Sequence, residues 1–201
     1  MAPVVGKRFR EALVWAAELH EEQRRKGGNV PYVAHLLGVA SIVLEHGGTE
    51  DQAIGALLHD ALEDQAHRMT PGEIRARFGA KVEEIVEACT DGDAEEQQDR
   101  DPARWRVRKQ KYIDAIATKP ADALLVSMAD KLYNARAILE DFREIGDRLW
   151  PRFTAGKEGN LWYYRAMLTA FKARADNRLW HELDRTVADI ERMAALERTT
   201  S

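Results

Sequence analysis

Residues 53–64 read Ala53-Ile54-Gly55-Ala56-Leu57-Leu58-His59-Asp60-Ala61-Leu62-Glu63-Asp64, and this stretch decides the fold. It is apolar on nearly every side, which suits a helix buried in a core rather than one with a wet face. Two ionisable side chains, His59 and Asp60, then stand side by side within it. A buried carboxylate without a partner is costly, so such a group must shift its pKa, find a counter-charge or bind a metal. A histidine next to it points to the metal. Glu63 follows His59 by one helical turn and Asp64 follows Asp60 likewise, so on a continuous helix of about 3.6 residues per turn the second pair stacks beneath the first. One helix face is thus expected to carry two ligand candidates and two acid/base candidates.

The same helical periodicity extends outward over most of the chain, with apolar residues recurring three and four apart and no convincing strand alternation. The expectation is an all-α fold of about nine helices in a single domain spanning residues 1–201. Helix one runs from about Lys7 to Arg25 and stops at Gly27-Gly28-Asn29. Helix two covers about Tyr32 to His46 and ends at Gly47-Gly48, and helix three covers about Glu50 to Asp64. Thr70-Pro71-Gly72-Glu73 then places a capping Thr, a first-turn Pro and an N3 Glu in order. Short helices to Phe78 and from about Lys81 to Thr90 lead to an acidic loop, Asp91 to Asp101, long enough to form a lid. Four further helices are expected from about Pro102 to Thr118, Pro120 to Ile145, Lys157 to Ala175 and Arg178 to Glu197.

Composition narrows the function classes. The 201 residues fit one core, and 30 Lys and Arg against 34 Asp and Glu leave a net charge of -4, so there is no basic excess to grip a nucleic-acid backbone. Cys89 is the sole cysteine, which removes internal disulfides and multi-thiolate zinc sites and favours the cytosol. Lys7, Arg8 and Arg10 interrupt the N-terminal segment before an apolar run forms, and no stretch approaches the roughly 20 apolar residues of a membrane helix.

Two more polar residues interrupt apolar helical runs. Ala123-Leu124-Leu125-Val126-Ser127-Met128-Ala129 ends abruptly at Asp130, with Asn134 one turn on, and His35 stands in the first turn of a helix whose stripe is Leu36, Val39, Ala40 and Val43. His35, His59, Asp60 and Asp130 together offer imidazole nitrogen and carboxylate oxygen without sulfur. That set suits Mn, Fe or Zn better than Ca, and an incomplete shell leaves room for water.

The motifs Pro31-Tyr32-Val33-Ala34-His35, Leu57-Leu58-His59-Asp60-Ala61-Leu62-Glu63-Asp64 and Ala129-Asp130-Lys131-Leu132-Tyr133-Asn134-Ala135-Arg136 resemble the HD-domain metal phosphohydrolases. The likeness is specifically to the hydrolase domain of RelA/SpoT-type enzymes and to stand-alone small alarmone hydrolases, over about residues 9–171, with a C-terminal helix in 176–201. The resemblance implies an HD fold and one Mn²⁺ held by His35, His59, Asp60 and Asp130. It implies hydrolysis of the 3′-pyrophosphate of ppGpp or pppGpp to GDP or GTP and pyrophosphate, with Glu63 and Asp64 positioning the water and handling protons. By the same carry-over Asn134 contacts the nucleoside, and Arg24, Arg25 or Lys26 faces the guanine or a phosphate. Lys109, in the cluster Arg104, Arg106, Arg108, Lys109 and Lys111, is a candidate phosphate contact beside the plainer reading of a solvated face. The loop before Pro31 is one residue longer than in the long bifunctional enzymes, and Ala137 stands where they often carry a hydroxyl. The alternatives are an HD phosphohydrolase for another nucleotide or for NADPH, and a non-catalytic nucleotide-binding module. Trp150, Phe153, Trp162, Tyr163 and Tyr164 are read as core aromatics before a base-stacking platform, and His20, His67 and His181 as structural or exposed.

Overall fold

The Oγ1 of Thr49 accepts a hydrogen bond from the Gln52 N–H at 3.3 Å, and the Gln52 side chain accepts one from the Thr49 N–H at 2.8 Å. This reciprocal box satisfies two amides that a helix start leaves orphaned, and it opens the helix that carries the deciding stretch. In the computed structural model, which describes residues 5–25, 28–90 and 101–196, that helix is α3, Glu50–Leu58, buried at every position from Gln52 to Leu58. Before it come α1 (Lys7–Leu19) and α2 (Val33–Glu45). After it come α4 (Ala61–Asp64), α5 (Pro71–Phe78), α6 (Ala80–Cys89), α7 (Pro102–Ala115) and α8 (Ala121–Ile145). A 3-10 segment, Gly146–Arg152, then leads to α9 (Gly156–Lys172) and α10 (Arg178–Leu196). No strand occurs among the described residues, and the fold is all-α as expected.

The chain forms two compact units. The first comprises residues 1–97 and 119–130, and in it α3 packs against α1, α2 and α6. Leu36, Ile54, Leu57, Leu58 and Ile85 are fully buried there. A helix of 9 residues is marginal by itself, so this burial, at about 1.5–3 kcal/mol per large aliphatic side chain, is what stabilises α3. Gly47, at φ +79°, turns the chain out of α2. Its N–H bonds the Leu44 carbonyl and the Gly48 N–H bonds that of Val43, a Schellman end that serves two orphan carbonyls. Thr70 and Glu73 form the expected capping box at α5.

The second unit comprises residues 98–118 and 131–201, and in it α9 packs against α7, α10 and the 3-10 segment. Its core combines aliphatic side chains with a run of rings: Tyr163 lies 6.0 Å from Trp105 and 6.3 Å from Tyr112 between ring centroids, and Trp150 lies 5.0 Å from Phe142. Trp150, Tyr163 and Tyr164 are buried, which fits their reading as core.

Two element boundaries need correction. Helix one ends at Leu19, not near Arg25, because the chain beyond it pairs with itself: Tyr32 N–H donates to the Gln23 carbonyl at 3.0 Å and Arg25 N–H to that of Val30 at 2.9 Å. Arg24 and Pro31 form an isolated antiparallel bridge. Helix three is not continuous to Asp64 but breaks at His59 and Asp60 into α3 and α4. Of the acidic loop expected at 91–101 only Asp101 is among the described residues. It caps α7 by accepting from the Ala103 N–H at 2.8 Å, and the backbone amides of Ala103 and Arg104, with the Arg104 guanidinium, hold its carboxyl below the usual range. Lys26 likewise lies outside the described residues.

Candidate metal centre

The break in the deciding stretch falls on the two residues with most chemistry to offer. Asp60 has φ -96° and ψ -4°, the sparsely populated bridge between helix and strand where active-site residues often sit. Its carbonyl still accepts from the Asp64 N–H at 2.8 Å, so one helical turn resumes at once. The expected stacking of both pairs on one unbroken helix face is therefore replaced by a kinked junction.

Four side chains from three segments of the first unit converge at this junction. His35 Nε2, from the first turns of α2, lies 3.3 Å from His59 Nε2, 3.3 Å from Asp60 Oδ2 and 3.4 Å from Asp130 Oδ1. His59 Nε2 lies 3.0 Å from Asp60 Oδ2 and 3.7 Å from Asp130 Oδ1. His35, His59 and Asp130 are buried and form a cluster able to hold a metal ion.

The donor chemistry fits a divalent cation. Ligands about 2.0–2.2 Å from one ion stand roughly 3.0–3.6 Å from each other, and all these separations fall in that range except His59 Nε2 to Asp130 Oδ1, just beyond it at 3.7 Å. The Nδ1 of His59 lies 2.8 Å from the Ala56 carbonyl. A carbonyl only accepts, so in the neutral ring Nδ1 carries the hydrogen and Nε2 turns a lone pair toward the cluster, the arrangement that metal-binding histidines use. Electrostatics divide the two rings, with His35 favouring the neutral form and His59, while no cation competes for its Nε2, the protonated one. Burial pushes His35 below its ordinary pKa, against its hydrogen bond to Asp60 and the charge of Asp130. Burial also opposes a charge on His59, yet the nearby carboxylates of Asp60 and Asp130 prevail and raise it well above its ordinary value. Asp60 is held well below the carboxylate range despite burial, first by the charge of His59 and then by hydrogen bonds with both imidazoles. Its oxygens are thus kept anionic.

Around the cluster stand Tyr32, to which the sequence assigned no role, and the acid/base candidates Glu63 and Asp64. The Tyr32 hydroxyl donates to Asp60 Oδ2 at 2.6 Å, and burial together with the charges of Asp60 and Asp64 raises the phenol's pKa far above its usual value. The hydroxyl therefore stays a donor. Half-buried Glu63 and Asp64 lie on α4, and Asp64 Oδ2 accepts from the Gln23 amide at 2.7 Å. His20 stacks on Tyr32 with ring centroids 5.0 Å apart; it is buried, whereas His67 and His181 are exposed. The one sequence signal for His20 is its position directly after the buried face of α1, Ala12, Trp15, Ala16 and Leu19.

The remaining candidates are more scattered. Arg24 is exposed and donates to the Asn29 carbonyl at 3.0 Å, while Arg25 is half-buried beside it. Asn134 and Lys109 belong to the second unit, where Lys109 Nζ lies 5.3 Å from the Tyr163 ring centre.

The chain is similar to several known proteins. A family model described as HD domain matches residues 12–160. The chain is 40% identical over 129 residues to guanosine-3′,5′-bis(diphosphate) 3′-pyrophosphohydrolase MESH1 of Xenopus tropicalis, covering 63% of this chain and 66% of that protein. It is 37% identical to the Homo sapiens MESH1 over the same shares. It is also 35% identical over 136 residues to the Aquifex aeolicus guanosine-3′,5′-bis(diphosphate) 3′-pyrophosphohydrolase, covering 68% of this chain and 18% of that longer protein. The chain thus matches just under two thirds of the length of the MESH1 relatives. A solved structure described as a metazoan ortholog of SpoT that hydrolyzes ppGpp superposes with a TM-score of 0.72 at 26% identity, covering 92% of this chain and 96% of the other.

Proposed function

The chain belongs to the HD-domain family, and from that premise we propose that it is a metal-dependent phosphohydrolase that removes the 3′-pyrophosphate of ppGpp and pppGpp, yielding GDP or GTP and pyrophosphate. The observation that carries the reading is the approach of an Asp60 and an Asp130 oxygen to the Nε2 atoms of both His35 and His59 at 3.0–3.7 Å, with the two Nε2 atoms 3.3 Å apart. The names of the MESH1 relatives support the choice of substrate.

His35 and His59 through Nε2, and Asp60 and Asp130 through carboxylate oxygens, would hold one divalent ion, which we take to be Mn²⁺. When bound, such an ion supplies Lewis-acid polarisation of a phosphoryl oxygen and lowers the pKa of water. The chain's own groups do the rest. Hydrolysis joins a water oxygen to phosphorus, breaks the bond to the ribose 3′ oxygen and returns a proton to that oxygen. Glu63 and Asp64 share the acceptance and return of the proton, each a carboxylate suited to general acid/base work. Tyr32 holds Asp60 in place through its hydroxyl. Arg24, Arg25 and Lys26 offer charge for the nucleotide's phosphates, while the role of Asn134 rests on the family resemblance and that of Lys109 on the cations a pyrophosphate substrate needs. The reading takes residues 1–201 as one hydrolase domain and a cytosolic setting, for which the lone cysteine is the support.

The test is GDP and pyrophosphate release from ppGpp by purified protein with Mn²⁺, after metal stripping, and for Asp60→Ala. Stripping should abolish turnover and Mn²⁺ restore it. Asp60→Ala should lower kcat/KM by about 10³-fold or more, the scale of losing several kcal/mol of charge stabilisation. Metal-loaded protein that leaves ppGpp intact while cleaving another phosphorylated nucleotide would overturn the substrate and leave the metal chemistry standing.

A further inference from the structure

Gln23 sits at the junction of three side-chain hydrogen bonds in the first unit. Its Oε1 lies 2.6 Å from His20 Nδ1 and 2.9 Å from Gln65 Nε2, and its Nε2 lies 2.7 Å from Asp64 Oδ2. These partners leave the amide one orientation. An ionised carboxylate only accepts, so the amide nitrogen must face Asp64. Turned over, the amide would set oxygen against carboxylate oxygen and its own NH₂ against the NH₂ of Gln65. With Oε1 so placed, His20 Nδ1 must carry the hydrogen and donate to it, and burial keeps that imidazole below its ordinary pKa despite the hydrogen bond to Gln23 and the charges of Asp60 and Asp64. The ring is itself fixed: it is 2% exposed and lies nearly parallel to Tyr32, at 20°.

Gln23 also belongs to the backbone that departs from helix geometry after α1. Its carbonyl accepts from the Tyr32 N–H, so both its main chain and its side chain are anchored. One residue thus links the segment that presents Tyr32 to the short helix that presents Asp64.

We propose that Gln23 is the positioning residue for Asp64, locked in a single amide orientation by His20 and Gln65, and that it sets the direction in which Asp64 presents its carboxylate to the reacting water. This rests on the reading of Asp64 as an acid/base group. Gln23 touches neither substrate nor water in this account; it acts only through Asp64.

Kinetics on the manganese-loaded protein with ppGpp test it, using Gln23→Met, Asp64→Asn, the double variant, His20→Ala and His20→Asn. Gln23→Met keeps the side-chain length and removes the donor. It should lower kcat about 10–100-fold, the usual effect of losing a partner that orients a functional group, with KM and bound manganese per chain unchanged. Asp64→Asn and the double variant should have equal kcat, because an amide cannot position a carboxylate that is gone. His20→Ala should lose activity and His20→Asn, whose amide can donate in place of Nδ1, should regain most of it. Full kcat in Gln23→Met, or losses that simply multiply in the double variant, would overturn the proposal. A second readout needs no turnover. In metal-free protein the Gln23 side-chain amide protons, identified by their disappearance in Gln23→Met, should shift upfield in Asp64→Asn; an unmoved resonance counts against the link. Wild-type protein inert toward ppGpp would defeat the substrate reading, and an active Asp64→Asn would defeat the role of Asp64. The amide resonance still decides the Gln23 contact in either case.

Discussion

One hydroxyl can decide how a carboxylate is aimed, and Tyr32 does this for Asp60. Its O–H donates to Oδ2 at 2.6 Å from a ring that burial and two neighbouring carboxylates keep protonated. Tyr32→Phe retains the ring that stacks on His20 and removes the donor alone. The expected result is a fall in manganese affinity of about 10–100-fold, the range found when a partner of a metal ligand is deleted, with the circular dichroism spectrum unchanged. Titration of metal-free protein with Mn²⁺ reads it directly, and an unchanged affinity would mean that Asp60 is oriented by something else. The contrast between Asp60 and Tyr32 also shows what residues alone can reveal. His35, His59, Asp60 and Asp130 stand out in the sequence because each interrupts an apolar helical run, where an ionisable group needs a reason. Tyr32, Gln23 and His20 stand near helix ends or turns, where a polar residue ordinarily meets water. For Tyr32 and Gln23 the inward turn goes with backbone pairing between Gln23 and Tyr32, and that pairing leaves no periodic trace.

Among the elements, α3 is the most constrained, since it packs on three neighbours at once. A Cβ built on Gly55 would stand 2.5 Å from Ile85 Cγ2 and 3.2 Å from its Cβ, so α3 and α6 approach as closely as they do because residue 55 has no side chain. Gly55→Ala favours the helix intrinsically by up to about 1 kcal/mol, but overpacking a filled core costs typically 1–3 kcal/mol. Ile85 is fully buried and has little room to yield, so a net loss of stability is expected in urea melts. Ile85→Ala removes the opposing methyl, and the double variant should lose less than the two single losses added together. Strict additivity would show that the clash is relieved elsewhere. Some helix starts and stops were legible at this scale because they rest on local chemistry, as with Thr70 and Glu73 before α5 and Gly47 after α2, whereas the end of α1 was not. Nor was the break at His59-Asp60. The propensities of Ala61, Leu62 and Glu63 favour continuing the helix, and the kink reflects tertiary demands on two side chains that local propensity does not register.

Over the whole molecule, the four candidate ligands come from segments far apart in the chain yet all within the first unit: His35 in α2, His59 and Asp60 at the α3–α4 junction, Asp130 in α8. An ion held by all of them ties these segments together only in the folded state. Its binding free energy therefore adds to stability as RT ln(1 + [L]/Kd), about 2.7 kcal/mol at a hundredfold excess over Kd. Because the ligands anchor three different segments, the gain should be read locally as slower backbone hydrogen exchange. Protection should rise on adding Mn²⁺ in α2, around residues 56–64 and in residues 121–130, the part of α8 that belongs to this unit. Asp60→Ala removes one ligand and should erase most of that increment while the metal-free exchange pattern stays close to wild type, since Asp60 lies at a kink and fills no core position. Exchange that slows equally in Asp60→Ala, or that does not slow in these three segments, would mean that the ion binds somewhere other than at the converging imidazoles and carboxylates.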